Sequence, residues 1–385
     1  MGGADFNRLS QDWRRHNWRR LLAESVTRVA DLPPHLVDDA AGMDAVAAAY
    51  PLRINPYYLS LMEGWDDPLG RQALPDPREL SDPVWAADPF REEPLSPVPH
   101  LIHRYPDRVV FLVSGQCALY CRHCMRKRRV GDPLEAAVTD AQLQAGIDYI
   151  ARTGAVRDVI LSGGDPLLLT DGRLAWLLGE LRRISHVEMV RIHSRIPASL
   201  PQRVTPELAA LLSRFQPLYL NTHFNHPREI TPLAAEACGR LADAGIPLGN
   251  QAVLLRGVND DARILRQLFR RLLTLRVKPY YLHHPDQVRG TRHFWCSPQK
   301  GLALMGSLRG HISGMCIPHY VIDLPGGHGK VPLTPESVVS READRWRIRT
   351  YTGDIVDYSL NSDTKSLISP AALGRPRRNL RDSGR

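Results

Sequence analysis

The sequence predicts an α/β fold: a partial or full parallel (β/α) barrel with a helical N-terminal cap and a short C-terminal extension. Three observations predict it. Short apolar runs alternate with helical stretches at roughly 30-residue spacing, the pattern of βα units on a parallel sheet. Polar residues and glycines gather where those runs end. Residues 1 to about 100 are Pro-rich and mostly helical in pattern, unlike the rest.

Seven runs read as strands: VVFLVS (109–114), DVILSG (158–163), MVRIHS (189–194), PLYLNTHF (217–224), PLGNQAVL (247–254), KPYYLHH (278–284) and HYVIDL (319–324). Their apolar and β-branched content suits a pleated sheet. Between most of them lie AQLQAGIDYIART (141–153), DGRLAWLLGELRRI (171–184), PELAALLSRF (206–215), PLAAEACGRLADAG (232–245) and ARILRQLFRRLLTLR (262–276). Their apolar residues recur with helical period. The expected organisation is a cap over 1–100, a barrel over 101–330, a C-terminal extension over 331–370 and a disordered basic tail over 371–385.

A chain of 385 residues can bury a large core. Its 43% hydrophobic and 24% charged fractions are those of a soluble protein. The N-terminus lacks the apolar segment of a secretory signal, and no apolar run is long enough to cross a bilayer. A cytoplasmic enzyme without a membrane partner is expected. Much of the +9 formal charge sits in WRRHNWRR (13–20) and GRPRRNLRDSGR (374–385). No zinc finger, basic zipper or RNA-binding pattern accompanies it, so no nucleic-acid partner is expected. Six cysteines in a chain this long, without a signal peptide, do not form a disulfide framework.

The polar clusters carry the functional expectation. Cys117 follows the first strand, Gly163-Gly164-Asp165 the second, Ser194-Arg195 the third and His223 the fourth. Gln251 lies in the fifth, Asp286 follows the sixth and Asp323 to Lys330 the last. In parallel barrels the C-terminal strand ends build the active site. One cavity lined by all seven segments is expected.

"CALYCRHCMRKRRVG" (117–131) spaces Cys117, Cys121 and Cys124 as C-x3-C-x2-C. Three thiolates on one loop can hold three irons of a [4Fe–4S] cluster and leave the fourth open. A zinc site completed by His123 or His103 is the alternative on residue chemistry. The spacing, with an aromatic before the second cysteine, resembles radical S-adenosylmethionine (SAM) enzymes. The resemblance extends over about residues 11 to 358 through "NPYYLSLME", "SPVPHLIHRYPDRVVFLVSGQCALYCRHCMRKRRVG", "RDVILSGGDPLL", "SRIPASLPQRVTPEL", "LNTHFNHPREIT", "AGIPLGNQAVLLRGVND", "VKPYYLHHPD", "LRGHISG" and "VIDLPGGHGKVPL". These motifs are similar to the lysine 2,3-aminomutase family, isomerases that combine a [4Fe–4S] cluster, SAM and pyridoxal 5′-phosphate (PLP).

That resemblance implies a radical SAM barrel and residue roles. Cys117, Cys121 and Cys124 are the implied cluster ligands. Gly163, Gly164, Asp165, His223 and Gln251 match SAM-contacting positions, Arg104 and Arg108 phosphate-contacting ones, and Lys330 the PLP lysine. Lys330 ends the loop PGGHGK (325–330), read as flexible enough to swing its amine. A P-loop reading of that segment fails, because it needs glycine at Leu324 and a hydroxyl at Val331. Arg126 matches the arginine for the substrate carboxylate, and Asp286 and Asp323 the carboxylates for a distal amine.

The resemblance thus implies a basic amino acid substrate whose α-amino group moves to the β-carbon. L-Lysine is the first expectation. Arginine in natural-product biosynthesis is the alternative, because HHPDQVRGTRHFWCSP (283–298) departs from the usual pattern. His193 also stands where glycine is common and His328 interrupts a glycine run. A more distant alternative is a lysine enzyme serving translation-factor modification. Relatives carry a structural zinc on a cysteine at the position of Asp261; no structural zinc is expected here. A flavodoxin- or ferredoxin-type reductant and a homo-oligomeric state complete the expectation.

Overall fold

The computed structural model describes residues 13–360 apart from 15, 83, 133, 134 and 136. The expected basic tail at 371–385 lies outside the described residues. Two compact units divide the chain, Met1–Thr334 and Pro335–Arg385.

The first unit is built on one nine-stranded sheet whose spatial order follows the chain. The seven expected runs form its parallel centre: β2 (Arg108–Ser114), β3 (Asp158–Gly163), β4 (Met189–Ser194), β5 (Leu218–Thr222), β6 (Leu248–Val253), β7 (Val277–His283) and β8 (His319–Leu324). Antiparallel strands flank them, β1 (Leu101–Tyr105) against β2 and β9 (Gly329–Pro332) against β8. Neither flanking strand was legible in the apolar pattern. Strand β1 is LIHRY, half polar, and β9 begins inside the glycine-rich segment. Its pairing carries the first unit past residue 330.

Helices α1 (Asp140–Arg152), α2 (Asp171–Arg183), α3 (Pro206–Ser213), α4 (Pro232–Asp243) and α5 (Ala262–Thr274) occupy the expected stretches, and α6 (Pro298–Leu308) follows β7. Side-chain caps start each of them: Thr139, Thr170, Thr205, Thr231, Asp261 and Ser297 accept from backbone N–H groups of the first turn. The helices bury one leucine-rich face each, such as Leu174, Leu177, Leu178 and Leu181 of α2. Strand β3 is buried from Asp158 to Leu161, whereas β4 and β7 alternate buried with half-buried positions, because one face lines the cavity. Burying each large apolar side chain contributes about 1.5–3 kcal/mol.

Residues 13–100 form short helices, and Trp18, Leu21, Ile54, Tyr57 and Tyr58 join the same core as the barrel. A buried ion cluster ties this segment to the cysteine loop. Glu79, fully buried, binds Arg122 Nη2 at 2.6 Å and Lys127 Nζ at 2.6 Å. Burial opposes the Glu79 charge, but those two cations hold its carboxyl below the usual range. Among the described residues no helix is long and apolar enough to cross a membrane.

The second unit contains a three-stranded antiparallel sheet, β10 (Val338–Arg341), β11 (Arg345–Arg349) and β12 (Ile355–Ser359).

Removing Glu79 leaves two buried cations uncompensated. Glu79→Ala is expected to destabilise the chain by about 3–5 kcal/mol in urea unfolding, the usual cost of breaking a buried ion pair by removing one partner.

Candidate active site

The residues singled out in the sequence all line one cavity of about 530 Å³ at the C-terminal ends of the parallel strands. Chain order explains why. Each parallel strand delivers its following loop to the same end of the barrel, so motifs scattered over two hundred residues become neighbours.

The cysteine loop follows β2. Cys117, Cys121 and Cys124 are free thiols facing the cavity. Burial pushes the Cys117 thiol well up, and the Asp165 carboxylate and the neighbouring thiols add to this. Burial also raises Cys124 to about 11. Such thiols ionise only against a strong cation, which iron provides. Among the described residues no three His, Cys, Asp or Glu side chains converge on a single metal point. Three ligands of a cluster need not do so, since each binds a different iron. Both histidines of the zinc alternative have a neighbour at one ring nitrogen. His103 Nδ1 contacts the Tyr149 hydroxyl, and His123 Nε2 contacts Asn225 Nδ2.

Gly163 and Gly164 sit where β3 meets the start of the cysteine loop. A Cβ on Gly163 would lie 2.3 Å from the Ser114 oxygen, and one on Gly164 2.3 Å from the Gln116 oxygen. Gly163 also has φ +118°. Both positions are thus small because the loop's own backbone passes close by. Asp165 N donates to the Gln116 oxygen at 2.7 Å. The Asp165 carboxylate accepts from Ser194 Oγ (2.7 Å) and the Arg195 and Leu167 N–H groups. Burial outweighs these bonds and raises it to about 6.

Across the cavity His223 Nδ1 donates to the Gln251 carbonyl at 3.2 Å. Burial lowers His223 to about 4, so the imidazole is neutral. Arg195, beyond β4, donates to Cys121 Sγ, to Gln72 Oε1 (2.7 Å) and to Glu229 (2.6 Å). Its Nε and His123 Nδ1 are buried without partners among the described residues. Such orphans fit a polar ligand beside the cysteines.

The opposite wall is electrostatic. Asp323 on β8 accepts Arg104 Nη1 at 2.9 Å and Lys330 Nζ at 2.6 Å. Lys330 lies in β9 opposite Asp323, and its N–H donates to the Tyr105 hydroxyl. This corrects the flexible-loop reading. The glycines make the turn at 325–327, but the Lys330 backbone is pinned, and only its side chain is left to move. Arg104 Nε is buried and unpartnered, the orphaned donor expected of an anion site. Arg108 contacts Asp107 and lies over the Tyr105 ring, at the cavity edge. The donor sets therefore fit a cluster on one side and a phosphate-bearing aldehyde cofactor on the other.

Burial raises Asp286 to about 7, and the like charge of Asp323 adds to this; Lys330 and Arg126 oppose it. Arg126 is held by Glu92, with Nη2 at 2.7 Å and Nε at 3.1 Å from the carboxylate. Sequence reading missed Glu92, which sits in a Pro-rich stretch with no motif. It missed too that His193 faces the cavity, beside His283 at the end of β7; both are pushed well down by burial and are therefore neutral. Asp261 caps α5, its side chain accepting from the Arg263 and Ile264 N–H groups.

Comparison with known proteins agrees with this geometry. Residues 111–268 match the model described as "Radical SAM superfamily", and residues 305–370 that described as "Lysine-2,3-aminomutase". L-lysine 2,3-aminomutase of Clostridium subterminale is 45% identical over 93% of this chain and 85% of its own. That of Acetoanaerobium sticklandii is 45% identical over 92% and 86%. Glutamate 2,3-aminomutase of Clostridioides difficile is 41% identical over 91% and 83%. The chain is an isomerase whose cofactors are a [4Fe–4S] cluster, SAM and PLP, and it belongs to the lysine 2,3-aminomutase family of radical SAM enzymes.

Proposed function

We propose that this chain moves the α-amino group of L-lysine to its β-carbon. The observation that carries the reading is the contact between Lys330 and Asp323. A primary ammonium on a four-carbon stem sits 2.6 Å from Asp323 Oδ2, beside a second carboxylate, Asp286, raised by burial and by its neighbour's charge. The free amine of substrate lysine is the same group on the same stem. Two carboxylates at that wall favour a cationic side chain and would leave an acidic one facing uncompensated negative charge. The L-lysine 2,3-aminomutases of Clostridium subterminale and Acetoanaerobium sticklandii, each 45% identical to this chain, support the same substrate.

In this reading Cys117, Cys121 and Cys124 hold the cluster, and Gly163, Gly164, Asp165, His223 and Gln251 border SAM. Arg104 and Arg108 face the PLP phosphate and Lys330 anchors the cofactor. When bound, the cluster and SAM supply one-electron chemistry and PLP carries the migrating nitrogen. The protein's own contribution is orientation. Arg126 takes the substrate carboxylate, and Asp286 and Asp323 take the distal ammonium once Lys330 leaves Asp323. Fixing both ends places the middle of the substrate between the cysteine side and the lysine side of the cavity. Neutral His193, His223 and His283 line that space without adding charge. Electrons come from a flavodoxin- or ferredoxin-type reductant, and the chain works in the cytoplasm as a homo-oligomer.

The direct test is an anaerobic assay with dithionite, SAM and PLP, offering lysine and arginine separately and resolving α from β isomers by mass spectrometry. β-Lysine is the expected product; β-arginine alone would assign the altered 283–298 segment to a guanidinium. Reconstituted Lys330→Ala is expected to lose the protein-bound PLP absorbance and all turnover, and full turnover would remove Lys330 from its role. Asp286 sets a pH limit. As pH falls through about 7 the carboxylate gains a proton and ceases to attract the distal ammonium, so kcat/KM for lysine should decline on the acid side. Asp286→Asn should be low throughout and lose that limb.

A further inference from the structure

Segment 88–93, Asp-Pro-Phe-Arg-Glu-Glu, packs behind Arg104, Arg126 and the turn that leads to Lys330. Pro89 O accepts from Gly326 N at 2.7 Å, at the turn leading to Lys330. The Phe90 ring lies under the Arg104 guanidinium, 5.6 Å from ring centroid to Cζ. Asp88 and Glu93 both pair with Arg128. Glu92 reaches furthest in, with a side chain only 2% exposed.

The Glu92–Arg126 contact is specific in its geometry. The carboxylate takes the Nε and Nη2 nitrogens of the guanidinium, at 3.1 and 2.7 Å. Arg126 Nη1 makes no hydrogen bond among the described residues, and Arg126 lines the cavity. A guanidinium is a planar fork with two bidentate edges. One edge is held from behind by a buried carboxylate, and the plane and reach of the other edge are thereby set. Burial opposes the Arg126 charge, while Glu92 favours it. A lone arginine in this wall would keep its rotamer freedom and lose it on binding.

We infer that Glu92 is a positioning residue for the substrate carboxylate, acting through Arg126. The inference rests on the proposed role of Arg126. Glu92 does not touch the substrate; it presents the free edge of Arg126 at the angle a carboxylate requires, as a supporting hydrogen-bond partner orients a ligating side chain. Its signature is therefore selective. Ligands with an α-carboxylate depend on Glu92, and the same ligand without that charge does not.

The test compares L-lysine with L-lysinamide, which keeps both amines and lacks the carboxylate. Binding is measured by anaerobic titration calorimetry on the enzyme loaded with cluster and PLP but without SAM, so that no turnover occurs. Iron and PLP content report folding. Wild type should prefer lysine, and Arg126→Gln should remove most of that preference. Glu92→Gln should weaken lysine about tenfold, within the range for a hydrogen bond to a charged group, and leave lysinamide unchanged. Glu92→Asp keeps the charge but shortens the reach, so it should lower the lysine preference in the same direction and serves if the Gln variant does not fold. If Arg126→Gln collapses the preference while both Glu92 variants retain it, the inference is overturned and the carboxylate role of Arg126 stands. If Arg126→Gln retains the preference, that role fails first. Equal losses for lysine and lysinamide in the Glu92 variants would show a merely structural carboxylate and overturn the inference.

Discussion

The Asp323 carboxylate joins what the sheet leaves open. A nine-stranded sheet ordered β1 to β9 has two edges, and Asp323 on β8 takes Arg104 from β1 and Lys330 from β9. The Tyr105 hydroxyl adds a second link by accepting the Lys330 N–H. These contacts link the two antiparallel edges of the sheet beside the cavity. The same carboxylate that completes the architecture faces the space where a cationic substrate end is proposed to bind.

The basic run after the cysteines follows the same economy. Arg122 and Lys127 meet Glu79, Arg126 meets Glu92, Arg128 meets Asp88 and Glu93, and Arg129 meets Glu135. Read along the chain, RKRR looks like a patch for an acidic partner. Folded, each of these charges is paired within the chain, Arg128 and Arg129 at partly exposed positions, and the partners come largely from the segment before the barrel. Buried ion pairs add little net stability, but they punish misplacement heavily, since a displaced cation would remain desolvated and unpaired. They therefore determine where the cysteine loop sits more than how strongly the chain folds. A loop that must hold a cluster at one place in a large cavity gains from that constraint.

The histidines illustrate the complementary rule. His193, His223 and His283 line the cavity, and burial keeps all of them neutral. Charge in the cavity wall comes instead from arginines such as Arg104, Arg126, Arg191 and Arg195 and from the carboxylates, with Asp286 near enough to feel Arg126, Asp323 and Lys330 together.

The seven parallel strands and five of the six helices between them were legible in the sequence, and the motif residues it singled out line one cavity. Apolar period and turn residues are local properties, and the C-x3-C-x2-C, GGD and GGHGK segments keep their chemistry in the letters. The flanking strands β1 and β9 were not legible, because LIHRY and GKVP have no local pattern that favours a strand and acquire one only by pairing with β2 and β8. Nor was the pinned backbone of Lys330, the carboxylate behind Arg126 or the internal pairing of the basic run. Those depend on which distant segments fill the low-dielectric space beside a charge. The sequence by itself determined the element types and the reactive groups. The tertiary structure decided which charges are paired, which donors are left unpartnered and which side chain orients which, because pairing energies exist only between groups that folding has desolvated together.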